Sequence, residues 1–140
     1  MTQEEFLLDT LEYYSADTSR RCLGHGRCYY SPKGLATTGN GCAIGRWLPE
    51  SLKESMDTAY DGNSLPVRLL FDSKEYSNFL SAFPDMLKLL SPVFLSAVQR
   101  LHDSDDNWSE NGISDEGKKS AANLVKMFEL DASKFHKYIN

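Results

Sequence analysis

The sequence predicts an α+β protein, predominantly helical: a single compact domain over residues 1–140 with a small β-hairpin or irregular Gly-rich loop near residues 27–45. Three observations carry that expectation. Apolar residues recur at helical spacing near both ends and through much of the second half. Prolines and helix-capping residues divide those stretches at short intervals. Between Ser15 and Leu48 the periodicity lapses, and six of the nine glycines fall between residues 18 and 49. With 140 residues, 41% of them hydrophobic, the chain can bury one core without disulfide or metal staples.

The elements follow in order. Thr2 and Glu5 form a capping-box pattern, and Leu7, Leu8, Leu11 and Tyr14 recur at helical spacing, so a helix is expected over 3–15. Arg27 to Ser31 is the best short strand candidate, with Ser31-Pro32-Lys33-Gly34 and Thr38-Gly39-Asn40-Gly41 as turns. Cys42 to Leu48 is apolar and too short to assign by period. Pro49 suits the first turn of a helix over roughly 50–60. Asp61-Gly62-Asn63 reads as a turn, and residues 65–90 as partly helical between Pro66 and Pro84. Pro92 starts a helix carrying Phe94, Leu95, Val98, Leu101 and His102 on one face. Residues 102–110 form a polar loop holding one large aromatic, Trp108. Ser114 caps a helix running to about 129, and Asp131 a short last helix with Phe135 and Tyr138.

Composition narrows the function classes. No apolar run approaches the roughly 18 residues a membrane helix needs. The polar start Met-Thr-Gln-Glu-Glu is unlike a secretory signal, so a cytoplasmic location is expected. Three cysteines in a reducing compartment read as free thiols filling small gaps. A net charge of −5 argues against direct nucleic-acid binding, which draws on basic residues.

The charge is unevenly placed. Residues 18–49 carry Arg20, Arg21, Arg27, Lys33 and Arg46 and no acidic side chain, whereas the remaining chain holds ten basic and twenty acidic residues. Arginine forks match phosphate and carboxylate, and glycines let backbone amides approach an anion. Tyr29, Tyr30 and Trp47 offer stacking surface. The competing destination for this charge is internal: Asp103, Asp105, Asp106, Glu110, Asp115 and Glu116 form a stretch with no base over 103–116.

Other chemistries are available to the same residues. Cys22-x2-His25-x2-Cys28 followed by Cys42 supplies four nitrogen and sulfur ligands for zinc, without the paired C-x2-C knuckles of strong zinc signatures. Cys42, His102 and Asp103 stand in the chain order of a thiolate, base and orienter, although His102 also completes an apolar stripe. Asp103-x-Asp105-x-Asn107 imitates the start of a calcium loop. It fails where glycine and glutamate are required, at Trp108 and Ser114.

Two segments carry a resemblance: Gly41-Cys42-Ala43-Ile44-Gly45-Arg46-x-Leu48, and Val98-Gln99-x-Leu101-His102-Asp103 followed after four residues by Trp108. With Cys28-Tyr29-Tyr30 as a Cys-x-Tyr step, the chain resembles small proteins of tailed phages and bacteria over about residues 4–125. Val98 stands where that group usually has leucine. The resemblance implies a phage or bacterial origin and no particular reaction. Its pattern does not demand Cys22 or His25 and leaves Cys42, His102, Asp103 and Trp108 as the shared frame.

The expected function is binding without catalysis, as a phage or bacterial accessory protein, counter-defence among the roles. It would engage a host protein or a small anionic, nucleotide-like ligand, with no cofactor and no membrane. Candidate ligand-binding residues are Arg20, Arg21, Arg27, Tyr29, Arg46, Trp47, His102 and Trp108. Two alternatives stay open: a Cys42- and His102-dependent hydrolase or transferase, and an acidic inhibitor that mimics nucleic acid.

Overall fold

A computed structural model describes residues 1–21, 23, 24, 27–31, 41–60, 62 and 65–140, with the backbone alone at 23, 24, 27 and 28. The first helix, α1 (Gln3–Ala16), begins on the expected capping box. The Glu5 amide donates to Thr2 Oγ1 at 3.1 Å and the Thr2 amide to Glu5 Oε2 at 2.7 Å, satisfying two end groups that a helix leaves open. Phe6, Leu7, Leu11 and Tyr14 are buried along one face. Asp17 ends α1 and caps a short 3₁₀ turn over Thr18–Arg20.

An antiparallel hairpin follows, β1 (Leu23–Gly24) on β2 (Arg27–Cys28), with Leu23 opposite Cys28 and Gly24 opposite Arg27. A small hairpin is as expected, and of the Arg27–Ser31 strand candidate the first two residues are strand. The chain leaves the ladder because the amides of Tyr30 and Ser31 donate instead to the two oxygens of buried Asp57, at 2.8 and 2.9 Å. All but Gly41 of the turn expected over Thr38–Gly41, all but Ser31 of that at 31–34, and all but Gly62 of that at 61–63 lie outside the described residues.

Cys42 to Leu48 forms a turn and a 3₁₀ turn (Gly45–Trp47) that buries Cys42, Ala43, Ile44 and Leu48. Gly45 is required there by close approach. A Cβ on it would stand 2.4 Å from the Tyr30 carbonyl oxygen and 2.7 Å from the Tyr30 Cα. Helix α2 (Glu50–Thr58) starts after Pro49 and supplies Asp57. The 65–90 stretch divides at its prolines into α3 (Val67–Asp72), a 3₁₀ turn (Ser77–Ala82) and α4 (Asp85–Lys88).

Helix α5 (Pro92–Asp103) is the centre of the domain. Ser91 caps it through the Phe94 amide at 3.0 Å, and Phe94, Leu95, Ala97, Val98, Gln99, Leu101 and His102 are all buried. So wide a buried arc marks a helix covered on more than one side; α3 packs on it, and so does α6 (Asp115–Met127). Between α5 and α6, where sequence reading expects a polar loop, stands a second hairpin. Strand β3 (Trp108–Ser109) pairs antiparallel with β4 (Gly112–Ile113), after a 3₁₀ turn over Asp105–Asn107. Ser114 caps α6 as expected, and Asp131 caps the terminal 3₁₀ turn that leads into α7 (His136–Ile139). One cluster of buried residues, from Phe6 to Tyr138, joins these elements. Among the described residues no helix is long and apolar enough to cross a membrane.

Candidate functional site

The C-terminal end of α5 gathers much of the buried polar chemistry. A helix end leaves carbonyls without intrahelical donors, and here side chains from distant segments supply them. Arg21, 5% exposed, donates from Nε to the His102 carbonyl at 2.9 Å and from Nη2 to the Asp103 carbonyl at 3.1 Å and Asp105 Oδ1 at 3.0 Å. Trp108 Nε1 lies 3.0 and 3.1 Å from the carbonyls of Leu101 and His102, and Asn107 Nδ2 donates to Leu101 at 3.0 Å.

His102 is fully buried. Its Nδ1 lies 2.8 Å from Asp103 Oδ1, so the neutral ring carries its proton on Nδ1. Burial pushes its pKa below the ordinary histidine value, and the Asp103 carboxylate opposes that shift in part. Nε2 has no hydrogen-bond partner among the described residues. Tyr14 stands edge-on to the His102 ring at 4.6 Å and donates from its hydroxyl to the Gly41 carbonyl at 2.6 Å. Gln99 makes a second tie, donating to Asp103 Oδ1 at 2.7 Å and accepting the Ile44 amide at 3.2 Å. The Gly41–Leu48 segment and the end of α5 thus meet through Tyr14 and Gln99.

Of the basic residues singled out from sequence, the three whose side chains are described, Arg20, Arg21 and Arg46, are engaged within the protein. Arg20 donates to the Tyr13 carbonyl at 2.9 Å and lies over the Tyr13 ring at 4.6 Å. Arg46 pairs with Asp9 and sits between the Tyr13 ring (4.2 Å) and the Trp47 ring (4.5 Å); burial lowers its pKa to about 10, which leaves it charged at neutral pH. Of these three, Arg21 reaches the acidic 103–116 segment, and Arg20 and Arg46 turn to α1. Trp47 is half-buried against Phe6, while Tyr29 and Trp108 are buried. Tyr30 is buried as well, its hydroxyl donating to the Leu65 carbonyl, and burial pushes its phenol well above the ordinary tyrosine value.

Cys22, His25, Lys33, the Arg27 side chain and the Cys28 thiol lie outside the described residues, and with them most of the zinc alternative. Cys42, 1% exposed, accepts the Gly45 amide on its sulfur at 3.3 Å. Cys42 and His102 are both buried. Asn107 faces inward, its Oδ1 accepting from the Ser120 hydroxyl at 3.2 Å, which removes it from any calcium set with Asp103 and Asp105.

Open chemistry lies one layer out. Helices α3 and α5 wall a groove of about 430 Å³. Val67, Phe71, Pro92 and Val93 give it an apolar lining, and Arg68, Asp72, Arg100 and Asp103 give it charge. Val93 is 65% exposed. Among the described residues neither Arg68 nor Arg100 pairs with a carboxylate. Gln99 and Asp103 line the same groove, so its wall is continuous with the buried His102 network. Two accessible guanidiniums over an apolar surface can hold a carboxylate or phosphate whose remainder is apolar.

No protein-family model, curated protein or solved structure matches this chain.

Sequence reading missed Arg68 and Arg100. Each is an ordinary charge on the solvent side of a helix, and only the packing of α3 on α5 brings them together. Asp57 was missed, and Gln99, though part of the Val98–Asp103 motif, was given no role, for a related reason: a polar residue within an amphipathic helix gives no sign of the backbone amide it will meet.

Proposed function

We propose that the protein works by binding, and that its ligand, an apolar group carrying a carboxylate or phosphate, seats in the α3–α5 groove. The observation that carries this reading is the pair Arg68 and Arg100, unpaired among the described residues, on the walls of an apolar groove. The arginines first expected to bind an anion support it by contrast, because Arg20, Arg21 and Arg46 already spend their donors or ring faces inside the fold. The burial of Cys42 and His102 favours binding over a thiol-dependent reaction. A phage or bacterial accessory protein that sequesters a host component is the setting this reading suits.

The test is a titration of the isotopically labelled protein with phenylbutyrate, a ring joined to one carboxylate, followed by amide chemical shifts. The reading expects the shifts to centre on Arg68, Val93, Ser96 and Arg100. Shifts centred on Arg20, Arg46 and Trp47 would place the site elsewhere and overturn it.

A further inference from the structure

The groove does not end at α3 and α5. A second hollow of about 460 Å³ shares Phe71 and Pro92 with it and continues over Leu80, Leu87 and Leu95. Its charged lining residue is Lys88, whose Nζ donates to the Ser81 carbonyl at 3.1 Å and stands 3.7 Å from Asp85. Among the described residues the second hollow therefore offers no unengaged charge. Val93, next to Pro92 in the first hollow, is left largely uncovered.

Charge and apolar surface are thus divided between the two ends. The unengaged charge lies in the first hollow, on Arg68, Arg100 and Asp72, none of which has an ion-pair partner among the described residues. Asp103 lines the same hollow with its Oδ1 already held by His102 Nδ1 at 2.8 Å and Gln99 Nε2 at 2.7 Å. Two guanidiniums beside one open carboxylate suit a head with a single negative charge. A carboxylate carries one, whereas a phosphate monoester carries about 1.5 to 2 at neutral pH and would crowd Asp72. Past the head the walls are mainly apolar. An extended peptide would lay its amides and carbonyls there with no strand edge to pair them. A hydrocarbon chain has no such groups to satisfy.

We infer that the trench holds a straight-chain carboxylic acid of about ten carbons or more. Its carboxylate sits on Arg68 and Arg100, and its acyl chain crosses Phe71 and Pro92 into the hollow over Leu80, Leu87 and Leu95. Arg100 follows Pro92 on α5 by just over two turns, about 12 Å. An extended hydrocarbon advances roughly 1.25 Å per carbon, given C–C bonds of about 1.5 Å. Six carbons therefore stay in the first hollow, and twelve reach the second. This inference rests on the α3–α5 groove being the binding site.

The experiment titrates the whole chain with hexanoate, octanoate, decanoate and dodecanoate, by calorimetry and by amide chemical shifts. A fully buried methylene strengthens binding about fourfold, so a trench open on one side predicts about twofold per carbon. Expected is a rise of at least about thirtyfold from hexanoate to dodecanoate, with shifts at Leu80, Leu87 and Leu95 for the two longest acids and not for hexanoate. Arg68→Gln/Arg100→Gln, which alters two exposed side chains, should weaken every acid by a similar factor and leave the gain per carbon unchanged. Binding of phenylbutyrate and hexanoate with no further gain on lengthening overturns the acyl chain and leaves the groove standing. Failure of phenylbutyrate and of the whole series removes the groove as well. Dodecyltrimethylammonium binding as tightly as dodecanoate, or dodecyl phosphate binding more tightly, overturns the carboxylate head. Cosedimentation with phosphatidylglycerol vesicles that dodecanoate does not release assigns the trench to membrane lipid and overturns the free acid.

Discussion

Arg21 Nε donates to the backbone carbonyl of His102 across 81 positions of sequence, at 2.9 Å and nearly out of solvent. The bond fastens the segment after α1 to the end of α5, and the same guanidinium also serves Asp103 and Asp105. Cationic donors on the last carbonyls of a helix also suit the negative end of its dipole.

Arg21→Ala should therefore destabilise the fold by about 3 kcal/mol, the scale of removing buried charge-assisted hydrogen bonds. Asp105→Asn should cost under about 1 kcal/mol, because Asp105 is 83% exposed and solvent screens its ion pair. Urea unfolding of the two variants separates the carbonyl bonds from the ion pair. Equal losses would contradict this division.

Gly45→Ala tests the packing of the Gly41–Leu48 segment against Tyr30. The added methyl would collide with the backbone of Tyr30, which is itself pinned by Asp57, so neither partner can retreat cheaply. A loss of about 3 kcal/mol or more is expected, the upper range for forced overpacking. Gly117→Ala should behave alike, since its Cβ would stand 2.1 Å from the Asn107 carbonyl oxygen. Thermal melts of both variants provide the check.

His102 should make stability depend on pH in a defined window. Its folded pKa lies below the unfolded value of about 6.5, so in the range just below that pH the unfolded chain binds more protons than the folded one. Stability is then greatest above about pH 6.5 and falls as the pH drops from there, by at most about 1.4 kcal/mol per pH unit from this one group. Glu5, Asp17 and Asp131 have pKa values lowered from ordinary values of 4.5, 3.8 and 3.8, so their contributions are lost only in more acid solution. In His102→Asn, whose Nδ2 can replace Nδ1 as donor to Asp103, the slope between pH 6.5 and 5 should flatten. Urea midpoints across that range measure it, and an unchanged slope would assign the effect to another group.

These relationships were unequally legible in the sequence. Local signals were readable: the Thr2–Glu5 box, Ser114 and Asp131 as caps, and the apolar stripe of α5 all depend on neighbours within four residues. The hairpin of Trp108 and Ile113 was hidden, because two-residue strands carry no alternation and the surrounding acids mimic a solvated loop. Charge patterning singled out Arg21 and Arg46 and set the acidic 103–116 stretch against them; Arg21 reaches it at Asp105, whereas Arg46 pairs with Asp9. A cation destined for a buried helix end and one destined for a ligand have the same sequence signature. The groove was the least legible feature, for it exists only where the faces of α3 and α5 converge.

The most direct test of the binding reading is the affinity of the protein for phenylbutyrate, measured by titration calorimetry before and after Arg68→Gln/Arg100→Gln. Loss of charge-assisted hydrogen bonds of about 1.5 kcal/mol or more predicts at least roughly tenfold weaker binding with an unchanged melting temperature. Undiminished affinity in the double variant would contradict the assignment of the groove.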